Sequence, residues 1–210
     1  MGTRYNLKKI VHCLFFHVIL CVLALLVTLP LIWMVSASFF PDNEAASFPP
    51  KFIPSGFTLE QYEKLFTRLN SGRYFVNSLV IAAGVTLLST IVNSMAGFAF
   101  AKFSFKGKNK IFALLVMTMI VPGQITMLPV FLILNKLGLL NSYFGIILPG
   151  MASAFGIFLV RQYLYGIPDS YIEAAKIDGA NHFQIYWKLI IPLAKPILVT
   201  LGIFTFMGTW

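Results

Sequence analysis

One long polar segment interrupts the second half of an otherwise apolar chain: IPDSYIEAAKIDGANHFQIYWKLIIPLAKP, residues 167–196. Ser170 and Glu173 have the spacing of a capping box, in which each side chain bonds the other residue's backbone N–H at a helix start. Gly179 is placed to end that helix in a left-handed conformation, and Asn181 can cap a second helix. Helices this short are marginal alone. The chemistry that the segment offers is therefore docking, against a partner or against its own chain.

The histidines and cysteines do not form a catalytic or metal-binding pattern. His12, His17 and His182 have no metal-ligand spacing with a carboxylate. Cys13 and Cys21 are eight residues apart, a separation that places them roughly on one helix face but too far apart for a disulfide. We therefore interpret all five as packing residues and predict neither a catalytic residue nor a metal site.

The polar segment and the histidines and cysteines must be positioned by membrane-spanning helices. Of the 210 residues, 58% are hydrophobic and 11% are charged, whereas about a quarter of the residues in a soluble domain are charged. Five runs lack Asp, Glu, Lys and Arg, and the first four exceed the roughly 20 residues that a helix needs to cross a bilayer. The sequence predicts one all-α bundle of membrane helices over residues 1–210, with four complete spans and a truncated fifth. The spans are predicted at about residues 12–37, 75–100, 111–134, 143–160 and 196–210, with a cytoplasmic loop at 161–195.

Two predicted spans carry polar residues at membrane depth. Asn93 lies in the second span, on one helix face with small residues, a pattern that also suits helix packing. Gln124 and Thr126 lie in the third, beside Pro122 and Gly123, where an interrupted helix is tolerated if its backbone faces protein or a water-filled cavity. Transporters expose polar groups to substrate at such interruptions. Asn93, Gln124 and Thr126 are therefore candidates for a substrate path, with packing as the alternative.

The distribution of Lys and Arg predicts the orientation. With the N-terminus in the cytoplasm, eleven basic and three acidic residues fall inside, against five basic and four acidic residues outside. This bias follows the positive-inside rule, and it accounts for the net charge of +9 without a nucleic-acid partner. The inside basic residues are Arg4, Lys8, Lys9, Lys102, Lys106, Lys108, Lys110, Arg161, Lys176, Lys188 and Lys195.

Several classes of membrane protein are disfavoured by missing signatures. The chain has no G-x-x-x-x-G-K-[ST] loop, so we do not expect it to bind ATP itself. No carboxylate lies within a span, which weakens the alternative of an ion-coupled secondary transporter. An intramembrane enzyme lacks support because no H-E-x-x-H motif and no Ser/Lys or paired-Asp set occurs inside a span. Uptake driven by an ion gradient through this chain alone would favour the secondary transporter.

The stretch EAAKIDGANHFQIYWKLIIP resembles the EAA motif of permease subunits of bacterial binding-protein-dependent ABC importers. That motif reads EAA, three residues, Gly, nine residues, then I-x-L-P, and here its Ile and Leu positions are conservatively replaced. Segments such as VPGQITMLPVFLILNKLGLLNS and IFLVRQYLYGIPDSYIEAAKIDGA extend the similarity over nearly the whole chain. They resemble the carbohydrate-uptake branch, in particular the maltose-type second permease subunit. The matching motif positions are Glu173, Ala174, Ala175, Gly179, Leu189, Ile191 and Pro192.

The resemblance implies a type I importer fold in the bacterial inner membrane. It implies a second permease subunit that shares the sugar path, an extracellular sugar-binding protein, two ATPase subunits that hydrolyse ATP, surrounding membrane lipid and no cofactor. The loop containing the EAA motif would be the coupling helix that docks in a groove of the ATPase. The coupling residues so implied are Glu173, Ala174, Ala175, Asp178, Gly179, Ala180, Leu189, Ile191 and Pro192.

The chain departs from this family at its end. Relatives usually continue past the tryptophan that matches Trp210 with the remainder of the span and a further helix, giving six. We therefore expect a C-terminally truncated permease in which the coupling loop is complete. A non-transporting fragment is the corresponding alternative.

Overall fold

All regular structure in the described part of the chain is helical, as the sequence predicts. The computed structural model describes residues 7–45, 47–49, 51–53 and 55–210, and Arg4, used in the orientation prediction, lies outside these ranges. Contacts group the chain into two compact units, residues 1–74 and 75–210. Each unit is described by itself, and the single permease domain stays a prediction.

The first unit contains α1 (Leu7–Ala37), α2 (Asp42–Ala45) and α3 (Glu60–Thr67). Helix α1 is apolar along its length and exposes its large side chains on all sides, as expected of a helix surrounded by lipid. After α1, the buried Glu44 carboxylate accepts hydrogen bonds from the Lys51 ammonium (2.7 Å) and the Ser55 amide (3.0 Å). These bonds, first of all that from Lys51, lower the pKa of Glu44 to about 2.

The second unit is built on one long helix, α4, which begins at Ser71 just before the unit boundary and ends at Lys102. A short 3₁₀ turn at Thr118–Ile120 follows α5, and a π-helical turn at Tyr186–Ile190 follows α10. The remaining helices are α5 (Lys108–Met117), α6 (Gly123–Lys136), α7 (Tyr143–Gly150), α8 (Ala154–Tyr165), α9 (Ser170–Ile177), α10 (His182–Ile185), α11 (Ile191–Leu193) and α12 (Lys195–Thr209).

Two predicted membrane segments are bent. By length and composition, α1 and α4 can each cross a membrane, and up to five segments can if each bent pair counts as one span. The predicted interruption at Pro122 and Gly123 is present, with a bend of 104° between Lys108–Ile120 and α6. The predicted span 143–160 is not straight: α7 and α8 meet at 43°. The break lies at residues 151–153, directly after α7, and Ser153 caps the start of α8 there.

Small and polar residues let α4 pack closely on α8. A Cβ atom at Gly97 would lie 2.8 Å from the Val160 side chain, so only glycine permits this approach. One turn earlier, the buried Asn93 amide donates to the Ser89 hydroxyl (2.7 Å) and accepts from the Ser153 backbone N–H (3.0 Å). These contacts fix α4 against the start of α8, because Ser153 is the N-cap of that helix.

Candidate functional site

The first helix of the polar segment, α9, starts differently from the prediction. Asp169 is its N-cap and has helical backbone angles (φ −67°, ψ −21°), and no side chain caps the helix. The amides of Tyr171 and Ile172 bond the carbonyls of Pro168 and Asp169, so the first turn already begins near Pro168. Proline suits this place because its fixed φ fits a helix start. The predicted capping box of Ser170 and Glu173 is therefore wrong, since Ser170 lies inside the helix that it was expected to cap.

The turn after α9 follows the sequence prediction. Gly179 adopts φ +83°, a left-handed conformation in which glycine has no steric penalty. Asn181 caps α10 by accepting a hydrogen bond from the Gln184 backbone N–H (2.8 Å), and the Gln184 side chain accepts from the Asn181 N–H (2.9 Å). A complete capping box thus fixes the direction of the second helix.

A π-helical turn connects α10 to the next membrane segment. The Ile191 N–H donates to the Tyr186 carbonyl, five residues earlier, at the end of this turn. Pro192 has no N–H to continue the α-helical pattern, which explains why the helix widens here. The turn carries the buried Tyr186, whose hydroxyl lies 2.7 Å from the Ser94 hydroxyl of α4.

The loop, defined as residues 167–196, is attached to the bundle by an apolar face. Ile172, Ile185, Ile190 and Ala194 are buried in one cluster with Leu164 of α8. Burial of a large aliphatic side chain contributes about 1.5–3 kcal/mol, so this face stabilises the loop strongly. The opposite face is open: Tyr171, Glu173, Ile177 and Phe183 are exposed, and Ile177 is 87% exposed.

An ion pair holds the start of the loop to the end of α4. The Lys102 ammonium donates to the Ile167 carbonyl (2.5 Å) and to the Asp169 carboxylate (2.6 Å). The Lys102 side chain is almost fully buried, whereas that of Asp169 is largely exposed. The hydrogen bond from Lys102 lowers the pKa of Asp169 below its ordinary value. The loop is therefore fixed to α4 at two places, at its start by Lys102 and at the π-helical turn by Ser94.

Several of the predicted coupling residues come together around a shallow cavity of about 310 Å³ between α9 and the π-helical turn. Its floor includes the buried Ile185, and Gln184 and Lys188 complete its rim. The predicted residues that line it are Ala175, Asp178, Gly179, Ala180 and Leu189.

The other predicted coupling residues lie away from this cavity. Glu173 and Ala174 are on the exposed part of α9, and within the described ranges the Glu173 carboxylate has no salt bridge or hydrogen-bond partner. Ile191 and Pro192 follow the π-helical turn, where Ile191 packs against the apolar cluster. The motif thus divides into an exposed part on α9 and a structural part at the π-helical turn.

The substrate-path candidates occupy two different environments. Asn93 is fully buried and both polar atoms of its amide are bonded within the chain, which favours a packing role over a place in a path. Gln124 and Thr126 are exposed in the first turn of α6, directly after the 104° bend. The Thr126 hydroxyl donates to the Gly123 carbonyl (2.9 Å), and no side chain caps α6. For Gln124 and Thr126 the substrate path stays a prediction.

Sequence reasoning missed the residues that attach the loop to α4. No role is predicted for Tyr186 from the sequence, and Lys102 enters only among the basic residues that predict the orientation. The partners of these residues, Ser94 and Asp169, are 92 and 67 positions away. A lysine at the end of an apolar helix was the available signal, since it needs an anion or carbonyl groups nearby.

Comparisons with known proteins identify one family. Residues 93–210 match the family model described as a binding-protein-dependent transport system inner membrane component. The arabinooligosaccharides transport system permease protein AraQ of Halalkalibacterium halodurans is 35% identical over 90% of this chain and 68% of its own length. The diacetylchitobiose uptake system permease protein NgcG of Streptomyces coelicolor is 30% identical, over 92% of this chain and 65% of its own length. The sn-glycerol-3-phosphate transport system permease protein UgpE of Yersinia pestis is 32% identical, over 94% of this chain and 72% of its own length.

A solved structure supports the same assignment. A chain from the crystal structure of a bacterial ABC transporter involved in the import of the acidic polysaccharide alginate superposes with a TM-score of 0.86 at 28% identity. The match covers all of this chain and 74% of the other. The resemblance inferred from the EAA motif is confirmed, and so are the importer permease fold and the expectation of a transport subunit rather than an enzyme. This chain belongs to the family of inner membrane components of binding-protein-dependent transport systems.

Proposed function

We propose that this chain is a membrane-spanning subunit of an ATP-driven sugar importer and that residues 167–196 couple it to a cytoplasmic ATPase. The observation that carries the proposal is the division of this loop into two faces. One face is buried against the bundle through Ile172, Ile185 and Ile190, and the other presents Glu173 and Ile177 without cover.

A protein partner suits the open face. An exposed isoleucine and two exposed aromatic residues, Tyr171 and Phe183, stand beside a carboxylate that has no partner in the described chain. Apolar anchors next to a few polar groups are typical of the centre of a protein interface. The Lys102 and Tyr186 contacts keep this face fixed relative to α4, so a movement of the partner would be transmitted to a membrane helix.

The names of the relatives support a sugar as substrate class. Two of the three relatives reported above are named for oligosaccharides, and the solved structure is an importer of a polysaccharide. We propose that Gln124 and Thr126 line the path, because the break before α6 leaves backbone groups that need protein or water around them.

The same proposal includes the partner subunits and the orientation of the chain in the membrane. A second permease subunit would complete the path, an extracellular sugar-binding protein would deliver the substrate, and two ATPase subunits would hydrolyse ATP. The N-terminus, residues 102–110 and the loop would face the cytoplasm of a bacterial cell. Single cysteines at Ser71 and Lys106, in a variant without Cys13 and Cys21, should then label from opposite sides of the membrane; labelling from one side would reject this orientation.

Co-purification of the ATPase from cells that express all partner subunits tests the coupling assignment. Glu173→Ala removes an exposed charge that has no role in the loop's own fold, so we expect loss of ATPase retention with an unchanged amount of permease in the membrane. Gly179→Leu should have the same effect by opposing the left-handed turn, whereas Gly179→Asn should retain the ATPase because asparagine tolerates that conformation.

Glu63→Ala is the matched control, because Glu63 is an exposed glutamate on another short helix, α3. It should leave ATPase retention unchanged. Normal retention and normal sugar uptake in both Glu173→Ala and Gly179→Leu would contradict the proposal and leave the loop as a packed turn of the bundle.

A further inference from the structure

The geometry points to a binding site for the headgroup of an anionic phospholipid at the turn between α4 and α5. An open cleft of about 410 Å³ lies there, lined by Ser104, Phe105, the turn 107–110 and Tyr165. We call it the basic cleft. It is separate from the cavity of residues 167–196 and from the break before α6, and the measurement of lipid retention requires neither sugar nor ATPase.

The basic cleft carries positive charge, because Lys108 and Lys110 line it and Lys106 lies in the same turn. Lys106 and Lys110 are exposed, and neither forms a salt bridge with a residue that the structure describes. The Lys108 ammonium donates to the carbonyls of Phe103 (2.8 Å) and Ala101 (3.3 Å) at the end of α4. The carboxylate of Asp169 is already paired with the Lys102 ammonium. An anion entering the cleft would thus meet Lys110 directly, with Lys106 in the same turn and Lys108 held at the end of α4.

Arg161 adds a fourth cation behind Tyr165. Its guanidinium lies 3.7 Å from the centre of the Phe112 ring and 4.5 Å from that of Tyr165, a stacked arrangement that holds it in place. It donates to the Tyr165 hydroxyl (2.8 Å) and to the Phe100 carbonyl (3.3 Å). Because the Tyr165 hydroxyl accepts this bond, its own proton remains available to a phosphate oxygen in the cleft.

The surroundings favour a lipid over a free anion or an acidic protein. Phe105 on the rim is partly exposed, and Ile111 and Leu114 continue an exposed apolar strip along α5. Residues 111 and 114 belong to a segment of membrane-spanning composition, so this strip lies where acyl chains lie. A phospholipid supplies both a phosphate for the cations and hydrocarbon for the strip. Basic pockets between helices at the cytoplasmic side bind such headgroups.

The test is the retention of phosphatidylglycerol by the whole chain, purified in phosphatidylcholine nanodiscs that contain a small fraction of phosphatidylglycerol. Retained lipid is measured by native mass spectrometry. The double variant Lys106→Gln/Lys110→Gln should bind phosphatidylglycerol about thirty-fold more weakly, because each lysine near an anionic headgroup contributes about a five-fold factor. Lys106→Arg/Lys110→Arg, which keeps both charges, should restore binding. Lys108 is left unchanged because it caps the end of α4.

Arg73→Gln/Lys136→Gln is the matched control, since it removes two exposed cations outside the cleft that also lack salt bridges. It should retain phosphatidylglycerol like the unaltered protein. Equal losses in the two double glutamine variants would overturn the site. Displacement of the lipid by millimolar inorganic phosphate would assign the cleft to a free anion instead. Release of the ATPase by Lys106→Gln/Lys110→Gln, with lipid retention unchanged, would assign it to a protein partner.

Discussion

The hydrogen bond between Tyr186 and Ser94 leads to a graded prediction for how firmly the loop of residues 167–196 is held. Tyr186→Phe removes the phenol hydroxyl, but the Ser94 hydroxyl keeps its bond to the Ile91 carbonyl (3.0 Å), so we expect a loss of about 1 kcal/mol. Ser94→Ala leaves the buried phenol without a partner and should cost more, about 1–3 kcal/mol. Tyr186→Ala also removes a buried ring and should cost about 3–5 kcal/mol.

Hydrogen exchange of the backbone amides in residues 182–190 measures these losses locally. A change of 1.36 kcal/mol in opening free energy is a ten-fold change in exchange rate. We therefore expect exchange to accelerate about five-fold in Tyr186→Phe, about five- to 160-fold in Ser94→Ala and more than about 160-fold in Tyr186→Ala. In Ser94→Ala/Tyr186→Phe the combined loss should be smaller than the sum, because the two groups form one contact.

Ser170→Ala serves as the control, because Ser170 is an exposed serine of the same loop and its predicted capping bond is absent. It should change exchange by less than a factor of about two to three, as surface substitutions usually do. The reasoning is refuted if Tyr186→Ala leaves exchange of residues 182–190 unchanged, or if Ser94→Ala and Tyr186→Phe add independently.

Two further predictions concern packing and pH. Gly97→Ala should destabilise the purified protein by about 1–3 kcal/mol, because the added methyl group overlaps with Val160, and this should lower the aggregation temperature in detergent. Gly72→Ala is the control and should leave that temperature unchanged, because its methyl group meets no atom within 4 Å. Equal effects of the two variants would contradict the close approach of α4 and α8. Because the pKa of Glu44 is lowered from 4.5 to about 2, its bonds stabilise the segment after α1 fully above pH 4.5 and are lost as the pH falls towards 2. The exchange protection of the Ser55 amide should follow that range in the unaltered protein, whereas loss of protection above pH 5 would contradict it.

Local sequence signals predicted the elements that depend on neighbouring residues. The uncharged runs predicted α1 and α4, the break at Pro122 and Gly123 is present, and Gly179 and Asn181 form the expected turn and cap. Each of these features follows from side chains within a few positions of one another, where hydrophobicity, proline and glycine act directly on the backbone.

Features that depend on distant contacts could not be predicted in this way. The Ser170 capping box fitted the pattern, but the turn begins at Pro168, and which residue starts a helix depends on how the preceding chain is held. Here the Lys102 ammonium holds the Ile167 carbonyl and Asp169, 65 and 67 positions along the chain. A single sequence does not reveal such pairs, although the buried lysine required some partner.

The 104° bend before α6 has a consequence for how the protein is made. The helical segment Lys108–Ile120 and the 14-residue α6 are each about 20 Å long, whereas the hydrocarbon core is about 30 Å thick. Neither half can enter the bilayer as an independent span, and the bend between them leaves backbone groups that lipid cannot satisfy. We therefore expect stable insertion of this segment during biosynthesis to require neighbouring helices that cover the bend. The order of membrane integration is then linked to assembly with neighbouring helices. In the second unit, α4 is long enough to cross the membrane alone and can therefore integrate first.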